Sequence, residues 1–469
     1  MTVITETFPR AFAIRFKELE RWDPISFERI TWHWPKELMA PIGAVLKARK
    51  EKVDRSQFAF SDLQPITIHF DGSIDRRDVD GEREYTMELF FARPSDIVVA
   101  KIDLKNGAVG IVPPDWTNVV VTGHFAVYEP DRSRLLPEYL HRIIQTSFFK
   151  ALLWRNKVGA EGRKEVKLDF FESLQIPLPP LPTQRAIVEQ WEKAQKKIIE
   201  TQRWVEQLKA EIDVHFFRDL GLTLPQNVAQ AKCFGVRWKN FQRWSVSYNQ
   251  AACAGTDLAR GKYPGVTFGS VLELVQYGTS EKANAGGEGT PVLRINNIKD
   301  RAIDFTDLKY IQLPTKVRQG LLLKEGDILI IRTSGSRDLV GTCAVFHKNS
   351  DFVFASYLIR LRIMPDKAIP AFVSWFLNSA LGRQQINATS RQIIQNNINS
   401  TEIAGLQIPL PPLMVQQAIM QKVEEGCATI TQEQERACQL AIAVKREIEE
   451  MILGTRLVPE SNGLRKLSV

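Results

Sequence analysis

LQIPLPPL occupies residues 174–181, and LQIPLPPL occupies residues 406–413, 232 residues further on. Eight identical residues in a row mark an internal duplication, the signal to seek before any other. The register runs on past the octamer: Gln184, Ala186 and Ile187 recur as Gln416, Ala418 and Ile419. Upstream the echoes are weaker but keep their order. RWDPISF from Arg21 answers RWSVSYN from Arg243, Gly43 in PIGAVLKA answers Gly269 in TFGSVLEL, and SDIVV at 95–99 answers GDILI at 326–330. Their offsets drift from 222 to 232, as loop insertions produce. The chain reads as two copies of one unit: a globular part of about 150–170 residues, a proline-rich stop, and a segment of about 40.

The segments after the octamers have their own grammar. Pro177, Pro179 and Pro180 forbid regular helix or central strand, whereas Pro182 suits a first helical turn. Then Ile187, Trp191, Ala194, Ile198, Thr201, Val205, Leu208 and Ile212 follow at alternating steps of 4 and 3. This is a heptad seam, apolar at nearly every a and d position. The second copy has Ile419, Val423, Gly426, Ile430, Glu433, Ala437, Leu440 and Val444 at the same steps, with Gly426 where the first copy has Ala194. Gly221 and Gly454 lie just beyond, as helix ends favour. Two amphipathic helices packed on their own domains would show part of this pattern; the length, the 3.5-residue period and the duplication favour a coiled coil. A 39-residue helix is about 58 Å long, so two copies paired antiparallel would form a rod with a globular unit near each end.

The expected fold is α+β (mixed α/β) with a pseudo-two-fold repeat. Its expected parts are an N-terminal segment (1–20), a first domain (21–177), a spacer helix (178–220), a linker (221–236), a second domain (237–409), a second spacer helix (410–455) and a tail (456–469). Short apolar runs bounded by turn formers predict strands at 97–100, 119–121, 327–331 and 352–361. Residues 137–153 and 370–381 predict helices.

Composition bounds the function. At 469 residues, 44% hydrophobic and 25% charged, the chain can bury large cores without disulfides or structural metal. It has no apolar run of 18 residues, which argues against a membrane span, and its first residues lack the pattern of a secretory signal. Five scattered cysteines without a C-x-x-C spacing fit a reducing cytoplasm and argue against zinc. Net charge is +8; residues 180–220 balance at zero and 414–455 carry −3, leaving +11 for the rest. Phosphate binding is one reason for such a surplus.

Catalytic signatures are missing. The sequence has no P-loop, no H-E-x-x-H and no G-x-S-x-G elbow, and its six histidines are scattered. The glycines at 286, 287 and 289 lack the strand–helix context of a dinucleotide cradle and read as a loop. Val112-Pro113-Pro114-Asp115-Trp116 resembles the Asn/Asp-Pro-Pro-aromatic tetrapeptide of adenine methyltransferases, but Val112 replaces the amide or carboxylate and Asp115 interrupts the step to the aromatic. It reads as a turn.

Tyr277-Gly278-Thr279-Ser280, the run TPVLRINNI at 290–298, KEGDILI at 324–330, Arg332-Thr333-Ser334-Gly335 and the IPLPPL run before each long helix together resemble the specificity (S) subunits of type I restriction–modification systems. The Gln of that family's helix-start pattern is kept twice, in Pro182-Thr183-Gln184 and Met414-Val415-Gln416. The resemblance implies that each globular unit is a target-recognition domain for one half of an asymmetric, bipartite site on double-stranded DNA. It implies that the helices set the spacing and dock two adenine-methyltransferase (M) subunits, to which restriction/translocase (R) subunits bind. Catalysis, S-adenosylmethionine, ATP and Mg would then belong to those partners, with no cofactor in this chain. A protein-joining coiled-coil scaffold shares the rods but leaves the basic surplus unexplained; a stand-alone methyltransferase lacks its tetrapeptide.

Direct readout uses Arg, Lys, Asn and Gln on exposed loops. Candidates in the second domain are Thr279, Ser280 and Lys282; Arg294, Asn296, Asn297 and Lys299; Arg332, Thr333, Ser334 and Arg337; and Arg391, Gln392, Gln395 and Asn396. Asn296 and Asn297 read equally as turn formers or buried bridges. In the first domain Lys47, Arg49, Lys50, Lys52 and Arg55 form a basic run, which a solvated helix face would also explain, and Arg155, Asn156, Lys157, Arg163 and Lys164 form a second group.

If the seams pair, inserting one heptad in register into both helices lengthens each by about 10.5 Å, about three base pairs at 3.4 Å. Sequencing of methylated sites should then show a longer gap between unchanged half-sites. Four residues should instead form a stutter that unwinds the seam.

Overall fold

The computed structural model describes residues 30–77, 87–158, 165–223, 235–236, 258, 261–389, 391–392 and 396–459. The RW echoes at 21–27 and 243–249, with Arg163, Lys164 and Gln395, lie outside them. Two compact units divide the chain: Met1–Thr201 with Arg436–Val469, and Gln202–Glu435.

The first unit has strands β1 (Met39–Pro41), β2 (Leu46–Arg49), β3 (Gln64–Ile68), β4 (Ile74–Arg76), β5 (Leu89–Phe91), β6 (Ile97–Ala100), β7 (Val109–Ile111), β8 (Val119–Thr122), β9 (Phe125–Pro130) and β10 (Gln175–Pro177). Its helices are α1 (Pro137–Gln145), α2 (Ser147–Arg155), α3 (Leu168–Ser173) and the start of α4 (Leu181–Asp219). One sheet runs β2-β9-β6-β7, all antiparallel, and another runs β4-β3-β8-β5. Successive strand residues face opposite ways. In β6, Ile97 and Val99 pack with Tyr139, Leu140 and Ile143 of α1, while Val98 packs with Val119, Val121 and Val127. Burial on both faces explains the unbroken apolar run.

The second unit has β11 (Gly265–Thr267), β12 (Leu272–Tyr277), β13 (Thr290–Leu293), β14 (Ile298–Lys299), β15 (Ala302–Ile303), β16 (Lys309–Ile311), β17 (Ile328–Ile331), β18 (Thr333–Ser334), β19 (Cys343–Val345), β20 (Val353–Phe354), β21 (Leu358–Ile363), β22 (Arg391–Gln392), β23 (Asn396–Asn397) and β24 (Gln407–Pro409). Its helices are α5 (Thr315–Leu321), α6 (Pro370–Asn378), α7 (Ala380–Thr389), α8 (Ser400–Ala404) and the start of α9 (Leu413–Leu453). The central sheet runs β12-β21-β17-β19. It repeats the first unit's order and register: Ile97 faces Tyr128 and Ile111, as Ile328 faces Leu361 and Val345. The octamers repeat too, each supplying a short strand, β10 against β1 and β24 against β11.

The retained glutamines lock these copies. Gln184 is fully buried; its Oε1 accepts from the Leu136 N–H at 2.8 Å, and its Nε2 donates to the carbonyls of Arg134 and Pro179, each at 2.8 Å. Gln416, equally buried, accepts from the Ile369 N–H at 2.9 Å and donates to Lys367 and Pro411 carbonyls at 3.2 and 2.8 Å. Leu136 and Ile369 precede α1 and α6. One amide thus ties a long helix, its proline stop and the first domain helix together.

The two long helices pair antiparallel within each unit. In the first, Ile187 and Ala194 of α4 share a core with Val444, Ile448, Met451 and Ile452 of α9, with Trp191 and Leu440 packed beside them. In the second, Val205, Ile212, Phe216 and Phe217 of α4 share a core with Ile419, Val423 and Ile430 of α9, with Leu208 alongside. Gln190 donates to Glu447 at 3.4 Å, and Lys422 reaches Asp219 at 2.7 Å. Ile198 is buried and Ala437 half-buried. The buried stripe runs past the heptads read from the sequence, through Phe216 and Phe217 and through Ile448 to Ile452. Val188 and Met420, one residue after a seam position, are also buried among residues of their own domains. Seam pairing and packing on the domain therefore both hold.

Three expectations need correction. Residues 137–153 and 370–381 do not form single helices. Thr146 takes an extended backbone, ψ 150, and its hydroxyl accepts from the Phe149 N–H at 3.4 Å, so α2 starts afresh. Ser379, ψ 167, does the same between α6 and α7. The run 352–361 is likewise two strands, β20 and β21, split at 355–357. The basic run from Lys47 begins on β2, an extended strand, so no helix face is formed there.

Gly426 shows why the seam holds small residues: a Cβ there would stand 2.7 Å from Ile212 Cδ1 and 2.9 Å from its Cγ1. Gly426→Leu should cost about 1–3 kcal/mol through overpacking, read from denaturant unfolding, and Ile212→Ala in the same chain should recover part of it.

Candidate nucleic-acid interface

Several candidate side chains are already engaged inside the protein. Asn297 is 1% exposed; it accepts from the Arg294 N–H at 2.9 Å and donates to the carbonyls of Asp304 and Asp307 at 2.9 and 3.0 Å. It shapes its loop. Arg294 Nη2 binds Asp307, and Lys299 binds Asp304 at 2.6 Å. Arg49 Nε reaches Asp96 at 2.7 Å and its Nη2 reaches Glu129 at 3.3 Å. Lys52 pairs with Glu88, and Arg55 donates to the Met87 carbonyl. Arg337 donates to the Asn387 carbonyl at 3.3 Å, Ser334 Oγ accepts from the Ser336 N–H, and Asn156 caps its own helix through the Leu152 carbonyl.

Others are presented outward. Lys47, Lys50, Ser280, Lys282 and Asn296 are exposed. Lys157 Nζ sits 2.7 Å from the ring centroid of Trp154, itself 54% exposed, at the end of α2, while Lys157 and Arg155 are half-buried. Of Arg391, Gln392 and Asn396 only the backbone is described: Gln392 of β22 pairs with Asn396 of β23, Arg391 pairs with Asn397, and β23 pairs in turn with Thr333 and Ser334 of β18, in a three-stranded sheet of order β18-β23-β22.

The central sheet of the second unit ends in a corner where candidates converge. Arg332 follows β17, its N–H bonded to the Tyr357 carbonyl at 3.0 Å. Its guanidinium carbon lies 4.9 Å from the Tyr277 ring centroid. The Tyr277 hydroxyl donates to Ser400 Oγ at 3.2 Å and accepts from the Ser400 N–H at 3.1 Å, which fixes the ring. Past Tyr277 the chain runs against 354–356, where Thr279 donates to the Phe354 carbonyl and accepts from the Ser356 N–H. A Cβ on Gly278 would stand 2.3 Å from the Phe354 and Ala355 carbonyl oxygens, so only glycine permits that approach. Sequence reasoning missed Tyr277 and Tyr357 as members of this site. Tyr277 carried a signal, an aromatic just before Thr279, Ser280 and Lys282, whereas Tyr357 in VFASYLIR carried none.

The shared register locates the same corner in the first unit. Lys101 takes the place of Arg332, its N–H bonded to the His124 carbonyl at 3.1 Å, and Lys50 takes the place of Tyr277. Below the corner each sheet buries one aspartate. Asp96 is held by Arg49 and by the Arg93 N–H; its desolvation outweighs these and raises its pKa above the usual range. Asp327 is held by Arg362, Nε to Oδ1 at 2.7 Å and Nη2 to Oδ2 at 2.8 Å. Among the described residues no group of three His, Cys, Asp or Glu could hold a metal ion, and no helix is long and apolar enough to cross a membrane.

The fold is that of a chain solved in work on complex assembly and conformational transition of the type I R-M system: TM-score 0.57, 17% identity, covering 88% of this chain and 97% of that one. The sequence profile of the type I restriction modification DNA specificity domain matches residues 79–212 and 265–440, one stretch in each repeat. The chain belongs to that family. It is 25% identical over 285 residues to the type I restriction enzyme EcoKI specificity subunit of Escherichia coli (strain K12), covering 59% of this chain and 57% of that one. It is 27% identical over 295 residues to the StySPI specificity subunit of Salmonella potsdam, covering 62% and 58%. The matches span a little over half the length of these relatives.

Asn297→Ala should leave two carbonyls and one N–H without their partner and cost about 1–3 kcal/mol. Lys282→Ala, at an exposed side chain, should leave the melting curve unchanged.

Proposed function

We propose that this chain is the sequence-specific DNA-binding subunit of a type I restriction–modification complex. Its recognition domains would be residues 21–177 and 237–409, each reading one half of an asymmetric bipartite site. The carrying observation is the duplicated sheet whose equivalent corners present different polar and cationic side chains. Two copies of one scaffold with different chemistry at the same place suit two different half-sites. The paired helices would dock two adenine-methyltransferase subunits, and restriction/translocase subunits would join that core. Methyl transfer with S-adenosylmethionine, and ATP and Mg chemistry, would belong to those partners, in the cytoplasm; the chain itself would hold no cofactor and catalyse nothing.

Modularity tests this. Exchanging residues 237–405 for those of another family member should change one half-site and leave the other, read from the methylated sites of a host carrying the complex. A change in both half-sites would refute independent reading domains. Binding of a cognate duplex should weaken steeply with salt, because phosphate contacts release counterions; a scaffold that never touches DNA would shift no duplex at any salt concentration.

A further inference from the structure

Most of the second unit's described arginines have an acceptor. Arg294 holds Asp307, Arg301 holds Asp213, Arg318 holds Asp351, Arg360 and Arg362 surround Asp327, and Arg383 donates to the Val340 and Asp338 carbonyls. Arg332 differs. Its side chain makes no hydrogen bond or ion pair among the described residues, and its Nε is buried without a partner. It is nevertheless held in place, with its guanidinium over the Tyr277 ring and its backbone bonded to Tyr357 and Ile398. Stacking on an aromatic face orients a planar guanidinium while leaving its in-plane donors open.

An oriented guanidinium with unused donors matches one nucleobase best. Guanine presents O6 and N7, two acceptors side by side on its major-groove edge, and a bidentate arginine is their commonest specific partner. We propose that Arg332, positioned by Tyr277, reads a guanine in the half-site recognised by the second repeat. In the first repeat the same corner holds Lys101, whose Nζ donates to the Gly123 carbonyl at 2.7 Å, with Lys50 in place of the stacking ring. That corner lacks the fork and the platform, so it does not make the same reading. The inference rests on the DNA-specificity reading above.

The test uses the full chain and a pool of randomised duplexes at fixed salt, with bound duplexes sequenced and affinities measured on the selected site. Wild type should select a site with an invariant G·C pair in one half. Arg332→Ala should lower affinity about 5- to 150-fold and relax that one position. Arg332→Lys, which keeps the charge but not the fork, should relax the same position with a smaller loss. Unchanged melting curves for both variants tie the effect to reading. Identical selected sites for all three proteins, with affinity lowered evenly, would mean a phosphate contact and overturn the proposal, as would relaxation at an A·T position. If wild type itself selects no sequence, the DNA-specificity reading falls, and this inference with it.

Discussion

Each repeat depends on one buried primary amide. Gln184 and Gln416 sit two turns or less into their long helices, where their donors and acceptor close three backbone groups that no regular element satisfies. A buried peptide group without a partner costs far more than a hydrogen bond gains. The octamer's prolines remove N–H donors and rule out a continuous sheet or helix through that corner. The chain must therefore turn there, and the glutamine makes the turn satisfiable. From it follow the start of the long helix, the start of the domain helix and the direction in which the apolar seam faces.

The duplicated sheets also show what a fold conserves when its sequence does not. Both bury an aspartate at the turn before the central strand, Asp96 and Asp327, with an oxygen accepting from the backbone N–H three residues earlier. The neutralising arginine comes from different strands. In the first unit it is Arg49, on the strand beside β9; in the second it is Arg362, on β21, the counterpart of β9, where the first unit has Glu129. The requirement is one cation beside a desolvated carboxylate. Which strand supplies it is free, provided the opposite sheet position changes with it.

Much of the fold was legible because its signals are periodic or repeated. The octamer located both helix starts, the heptads located the seam, and Gly426, at the position where the first copy has Ala194, announced close packing that the Ile212 contact explains. The helix breaks at Thr146 and Ser379 were not legible: a single hydroxyl that caps the next helix leaves the apolar pattern running through. The site was legible only as a composition of polar and basic residues. Asn297 and Arg294 belong to the same run as Asn296, yet Asn297 is buried in a backbone bridge and Arg294 is tied to Asp307. Which members of such a run face outward depends on carbonyls ten residues away, which no local spacing encodes.

The corner at the end of β17 lies where the strands leave their hydrogen-bonded ladder, beyond the last residues of the core. Ile328 and Ile330 face one apolar layer and Leu329 and Ile331 another, while Arg332, next along the chain, belongs to neither. A side chain placed there lies outside both apolar layers, so its exchange leaves their packing in place. The scaffold thereby separates its mutable positions from its stabilising ones. The six residues at the paired corners, 50, 101 and 124 in one repeat and 277, 332 and 357 in the other, form a small alphabet that belongs to none of the apolar cores, so a library can vary them without cutting into those cores.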